Sequence, residues 1–372
     1  MRVLVLAAML LAATGCGRTE APPAEEPTGE ESTATAKSVP SSPGETHIQN
    51  IRQLTFGGEN AEAYFSADGQ QIIFQATQEP FECDQQYTMN IDGSDLKLVS
   101  TGEGRTTCGF YTPDSGRIIY ASTHLGAPEC PPVPDRSVGY VWPLYRSFDI
   151  FSANPDGSDI VRLTDADGYD AEGTISPDGR KIVFTSTRDG DLEIYTMNID
   201  GSEQTRLTHD VGYDGGPFFS PDSQWIVYRA SHPTDPDKVA AFKARMAEDL
   251  VEPAELEVFV MRADGSEQRQ ITSQGGANWA PYFHPNGEQI VFASDMDNES
   301  PRVPNFELYL INLDGTGLER LTFDEAFDGF PMFSPDGSKL VWASNRFASN
   351  PGNTNVFVAD WIDNPSEGGS DD

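Results

Sequence analysis

The sequence predicts an all-β chain folded as a six-bladed β-propeller of four-stranded antiparallel blades. Two observations carry that prediction: a Pro-Asp-Gly-type turn occurs six times, and β-rich runs follow each copy in a fixed order. The turn reads FSADG at Phe65, YTPDS at Tyr111, ISPDG at Ile175, FSPDS at Phe219, FHPNG at Phe283 and FSPDG at Phe333. Its second residues, Ser66, Thr112, Ser176, Ser220, His284 and Ser334, are separated by 46, 64, 44, 64 and 50 residues. Four-stranded units at about this period, none able to bury its apolar face alone, stack around an axis as propeller blades.

Each element follows from local chemistry. Pro presets φ at the first central turn position, Asp caps the turn, and Gly accepts the left-handed geometry at its end. The second strand comes next: IIF at Ile72, IIY at Ile118, IVF at Ile182, IVY at Ile226, IVF at Ile290 and LVW at Leu340. These β-branched and aromatic residues suit a pleated surface packed on both sides. An aromatic third strand usually ends in Asp-Gly: YTMNIDGS, IFSANPDGS, IYTMNIDGS, VFVMRADGS, LYLINLDGT and finally VFVADW. A fourth strand then closes on Leu-Thr or a variant, as LKLVST, VRLT, TRLT, RQIT and ERLT. The sixth unit has no such strand, whereas an unmatched IQNIRQLT precedes the first. Residues 48–55 are therefore expected to complete the sixth blade and close the ring, which removes an exposed edge. The propeller is expected to span residues 47–363, with a disordered acidic tail at 364–372.

The pattern SPDG…IVFTS…RDGDLEIYTMNIDGS…RLT resembles the repeat of TolB-type β-propellers, also found in tricorn-like and prolyl-oligopeptidase-like propellers. The resemblance spans about residues 48–362. It implies the fold strongly and the function weakly, because one fold hosts many unrelated sites. TolB proteins carry a further N-terminal domain where this chain has a polar stalk, so no partner-binding residues are carried over. The related peptidases hold their catalytic centre in a separate hydrolase domain, so a self-contained peptidase is not expected.

The chain has 372 residues and a formal charge of −35, from 59 acidic and 24 basic residues. That balance argues against nucleic acid and anionic membrane surfaces as partners. Solubility explains the acidity, and an acidic surface for a cationic partner is the alternative. The start, MRVLVLAAMLLAATGC, has the basic, apolar and small-residue order of an export signal and is too short to span a membrane. AATGC resembles a lipobox, which makes Cys16 the expected lipidation site and residues 1–16 a lipoprotein signal; simple cleavage is the alternative. Residues 17–46, rich in Pro, Glu, Ser and Thr, are expected to be a disordered tether. Together these features predict a monomer in the cell envelope, periplasmic or at the outer membrane, reaching the membrane only through its lipid.

Function is expected on the face carrying the loops between second and third strands and between blades, because all the length variation falls there. Interruptions lie at 76–86, 122–148 and 230–255. The second is rich in Pro and aromatics, and His124, Tyr140 and Trp142 join His209 and His232 as loop-face binding candidates. In the third, Asp235 and Pro236 open a helix whose stripe Val239, Phe242, Met246 and Leu250 is expected to dock on the propeller. Export permits one disulfide among Cys83, Cys108 and Cys130, and Cys83–Cys108 is the expected pair because adjacent loops carry them.

Six residues ahead of the repeated Ser or its replacement stand Asn60, Thr106, Asp170, Asp214, Asn278 and Asp328. Converging at the channel mouth, they could bind a ligand, and Asp170, Asp214 and Asp328 could hold Ca²⁺. Alternatively each caps its own loop. No HExxH or GxSxG motif occurs, and DADGYDAE at Asp165 lacks EF-hand ligand order. The expected function is a non-enzymatic binding or scaffolding module for an envelope protein or peptide. The alternative is a metal-dependent hydrolase or lyase acting on peptide or sugar polymers.

Overall fold

The computed structural model describes residues 36–135, 137, 139–298, 305–350 and 352–365. The signal, Cys16, most of the tether and most of the acidic tail lie outside these residues. Six antiparallel sheets, each laid out from an inner to an outer strand, form the propeller. Blade three shows the plan: Asp170–Ile175, Lys181–Ser186, Glu193–Asn198 and Thr205–Arg206 pair in that order. The turns form as expected. The hydroxyls of Ser66, Ser176 and Ser334 donate to Asp68, Asp178 and Asp336 at 2.6–2.7 Å, and Gly179 sits at φ 73°.

One aromatic from each second strand is fully buried between blades: Phe74, Tyr120, Phe184, Tyr228, Phe292 and Trp342. Each meets the aromatic of its neighbouring third strand, Tyr87, Phe151, Tyr195, Phe259, Tyr309 or Phe357, at 5.7–6.1 Å between ring centroids. Such pairs add about 0.5–1.5 kcal/mol each beyond the area they bury. The apolar core is thus a ring of equivalent contacts rather than one central cluster.

Strand Ile48–Gln53 pairs with Asn355–Trp361, so the N-terminal segment completes the sixth blade and closes the ring. The order continues further toward the N-terminus than the tether reading allows. Strand Lys37–Ser38 adds a fifth strand to this blade, and Glu45, fully buried, meets Arg346 at 3.0 Å. Burial of that ion pair fixes residues 36–46 on the propeller, which composition alone could not reveal.

The bridge expectation is corrected: Cys83 is bonded to Cys130, and Cys108 is free. Cys108 lies within inner strand Thr106–Tyr111, while the blade-two insert folds back to bring Cys130 onto the blade-one loop. The helix Pro236–Met246 is capped by Asp235, whose carboxylate accepts from the Asp237 and Lys238 amides, and it docks through Phe242 and Met246. Beyond it, Leu250–Val251 pairs with Trp142–Pro143, tying the two long inserts together over the channel. Among the described residues no helix is long and apolar enough to cross a membrane.

Candidate functional site

Every inner strand carries the same irregularity. The register against the second strand shifts between Ala61 and Tyr64, Thr107 and Phe110, Ala171 and Thr174, Gly215 and Phe218, Trp279 and Tyr282, and Gly329 and Met332. Each shift is a β-bulge with one residue at positive φ: Glu62, Cys108, Glu172, Gly216, Ala280 and Phe330, between 49° and 57°. A bulge inserts an extra residue and re-aims the side chains around it. Left-handed backbone costs a non-glycine residue roughly 1–2 kcal/mol, and five blades bear it.

The bulge decides what faces the channel. None of the six residues expected at the mouth lines the chamber; each is buried, bonded within its blade or to the neighbouring one. Asn60 donates to the Thr354 carbonyl at 2.7 Å, Thr106 meets the Ser122 hydroxyl at 3.0 Å, and Asn278 donates to the Leu256 carbonyl at 3.1 Å. The three carboxylates expected to hold Ca²⁺ each have a basic partner instead. Asp170 pairs with Arg188 at 2.8 Å, Asp214 with His232 at 3.0 Å, and Asp328 with Arg346 at 2.6 Å. Among the described residues no group of three or more His, Cys, Asp or Glu is placed to hold a metal ion.

The bulge residues, two positions further on, line the channel instead. Glu62, Cys108, Glu172 and Phe330 floor a chamber of about 960 Å³ on the loop face. The predicted Trp142 lines it, and Tyr140 stands at its rim, 67% exposed and bonded to the Trp142 indole. His124 bonds Ser122 within blade two, His232 serves Asp214, and His209 is exposed; these three do not line the chamber.

At the floor, Arg229 rises from the second strand of blade four. Its Nε donates to the Tyr213 hydroxyl at 2.8 Å and its Nη2 to Glu172. The other Glu172 oxygen accepts from the Thr185 hydroxyl at 2.7 Å and the Gly216 amide at 2.9 Å. Burial opposes the charge on Arg229, yet Glu172 and Tyr213 outweigh it and hold its pKa above the ordinary range. Gly216 makes the arrangement possible, since a Cβ there would lie 2.1 Å from Arg229 Nη1. Across the floor, burial lifts the Glu62 carboxyl to about 7, although the Cys108 thiol bonded to it works the other way. Burial also raises the Cys108 thiol, which stays protonated at neutral pH.

The far wall is aromatic. The Trp279 ring lies 4.6 Å from Phe330, 5.4 Å from Phe306 and 6.1 Å from both Phe327 and Trp142. Arg229 stacks over Trp142 at 5.2 Å and Tyr213 at 5.5 Å. The floor charges were missed in the sequence, but a signal exists. Where Arg229 stands, the other second strands place Gln75, Ala121, Thr185, Ala293 and Ala343, so a base interrupts the repeat in an acidic chain.

A family model for the TolB beta propeller domain matches residues 145–241 and 258–364, over half the chain. The chain belongs to the TolB β-propeller family. Among solved structures, a protein assigned as TolB of Agrobacterium tumefaciens superposes with a TM-score of 0.54 at 21% identity, covering 82% of this chain and 91% of that one. TolB of Acinetobacter baumannii gives 0.54 at 16% identity, with 82% of this chain covering 63% of that protein. The oligogalacturonate lyase of Vibrio parahaemolyticus gives 0.51 at 14% identity, covering 87% and 96%. At these identities the likeness extends to the fold alone. No curated protein sequence matches the chain.

Proposed function

We propose that this TolB-family propeller is a non-enzymatic binding module of the cell envelope, and that its loop-face chamber receives a segment of an envelope protein. The observation that carries the reading is the chamber itself, about 960 Å³ with an aromatic wall and a small set of convergent polar groups. The residues that build it are those that depart from the repeat, whereas the repeat builds the scaffold. The export signal and the Cys16 lipobox support the envelope location, with a monomer held to the membrane by lipid. Mass spectrometry of the mature chain tests the anchor by reading an acylated Cys16.

Retention of envelope proteins on the immobilised chain tests the chamber, with Thr107→Trp as the control that fills it. Thr107 lines the chamber and is half-buried, so the larger ring projects into its space. Retention by the native chain and its loss in Thr107→Trp, at unchanged melting temperature, is the expected result. Equal retention by both would place the partner elsewhere.

A lyase or hydrolase acting on peptide or sugar polymers in the same chamber is the second reading. It is favoured by one observation: the Glu62 carboxyl, held at about 7, lines the same chamber as Arg229 and Tyr213. Turnover of such a polymer that Glu62→Gln abolishes would decide for it.

A further inference from the structure

Resting on the binding reading, we infer that the segment received by the chamber carries a basic side chain, a lysine or arginine, that stands on Glu62 against the aromatic wall while its backbone carbonyl meets Arg229.

The charge inventory of the chamber leads there. Six carboxylates line it: Glu59, Glu62, Asp84, Glu172, Glu255 and Asp295. Both lining arginines are already committed, Arg105 to Asp84 at 2.7 Å and Arg229 to Glu172. Glu255, at the entrance, is paired with Lys238 at 2.6 Å. Glu62 has only neutral bonding partners, the Cys108 thiol and the Tyr64 hydroxyl at 3.4 Å. A buried carboxyl lacking a directly bonded base is costly to ionise, and a cation brought by a ligand would relieve that cost.

The wall suits the same group. Ammonium and guanidinium ions are held by aromatic faces, most strongly when water is excluded. The chamber already does this once, with Arg229 lying over Trp142 and Tyr213. Trp279, Phe306, Phe327 and Phe330 form a second aromatic surface with no cation of the protein's own stacked on it among the described residues. The net charge of −35 adds long-range attraction for a positive segment.

Arg229 supplies the second point of contact. Its side chain is 8% exposed, Nε and Nη2 are engaged, and Nη1 makes no hydrogen bond among the described residues. Arg229 lines the chamber, and a guanidinium with a donor to spare fits a neutral acceptor. A carbonyl meets that need, whereas a second carboxylate would face Glu62 and Glu172. One Arg donor and one carboxylate separated across the floor therefore match a peptide bond and its basic side chain.

Titration of the full chain with the capped tripeptides Ala-Lys-Ala, Ala-Arg-Ala, Ala-norleucine-Ala and Ala-Glu-Ala, followed by tryptophan fluorescence and calorimetry, tests this. The basic peptides are expected to bind at least about tenfold more tightly than norleucine, with the preference shrinking as salt rises. Glu62→Gln is expected to remove the preference. Equal binding of the four peptides, binding of none, or a preference that survives Glu62→Gln overturns the inference. n-Butylamine, which carries the ammonium without a carbonyl, separates the two contacts as a free competitor: matching the tripeptide in affinity would show that the cation alone is read and overturn the carbonyl contact. The wider binding role is judged separately. If envelope-protein retention falls in Thr107→Trp but is unchanged in Glu62→Gln, the cationic inference fails and the chamber reading stands.

Discussion

The two mouths of the channel are made by the same six inner strands and differ in almost everything else. At the turn-face mouth the repeat is nearly intact: Pro113, Pro177, Pro221, Pro285 and Pro335 ring a pocket of about 310 Å³ lined by Phe65, Phe110, Phe218 and Met332. At the loop-face mouth the chamber is about three times larger and each blade contributes something different. Regular hairpins serve closure of the ring, and the residues that break the pattern create a site. The carboxylates follow the same division. Turn aspartates such as Asp68, Asp178 and Asp336 are held below their ordinary range by hydrogen bonds from turn hydroxyls and amides, Asp336 at about 2. Toward the loop face, burial lifts Glu62 at its bulge and Glu193 and Glu307 at their strand starts to about 7.

That contrast can be broken most severely by cutting the chamber's staple. The Cys83–Cys130 bond closes 47 residues between the blade-one loop and the blade-two insert. Cys130→Ser should cost roughly 4 kcal/mol by the loop-entropy relation. Denaturant unfolding in oxidising buffer reads that cost, and peptide binding at the chamber should weaken with it. An unchanged unfolding midpoint would mean the insert is held by packing alone.

A smaller effect is expected from Gly216→Ala. The new methyl collides with Arg229 Nη1, and the bulge loses the residue that adopts positive φ most readily. About 1–3 kcal/mol of destabilisation follows if Arg229 shifts while keeping Glu172. Glycine to alanine at Gly179, which is also left-handed but has only Pro113 within 4 Å, isolates the backbone part of that cost. Equal losses at the two positions would show that the Arg229 placement contributes nothing.

The gentlest test is pH. A folded carboxyl pKa raised from 4.5 to about 7 means the native state holds protons that the unfolded chain has released. Stability therefore falls as pH rises from about 4.5 through 7. The depressed turn aspartates act oppositely, losing their contribution as pH falls below the ordinary carboxylate range. The melting temperature should peak near pH 4.5–5 and decline toward pH 8. Glu62 feels Glu172, Arg229, Asp84 and Cys108, and Glu62→Gln should flatten part of the decline. A melting temperature that rises steadily to pH 8 would contradict the division between the two faces.

The strands and turns were legible because each rests on local chemistry: Pro-Asp-Gly fixes a hairpin, and Ile, Val and aromatics fill a pleat. Even ring closure by residues 48–55 could be read, since an unmatched outer strand at one end answers a missing one at the other. The candidate site was legible only at its rim, where Trp142 and Tyr140 sit in an insert whose length announced it. Its floor was displaced by two residues in every blade. Period-two alternation assumes an unbroken strand, and the bulges at Glu62, Cys108, Glu172, Gly216, Ala280 and Phe330 break it by one residue each.

By itself, then, the sequence determined the number of blades, their strand order and the face on which loops gather, because those follow from short-range turn chemistry repeated six times. The tertiary structure alone decided which cysteine met Cys83, that Glu45 belongs against Arg346, and that Glu62, Glu172 and Arg229 share a chamber. Those partners lie 47 to 301 residues apart. Which of them meet is set by the closure of the ring and by a backbone bulge that leaves no mark in residue type.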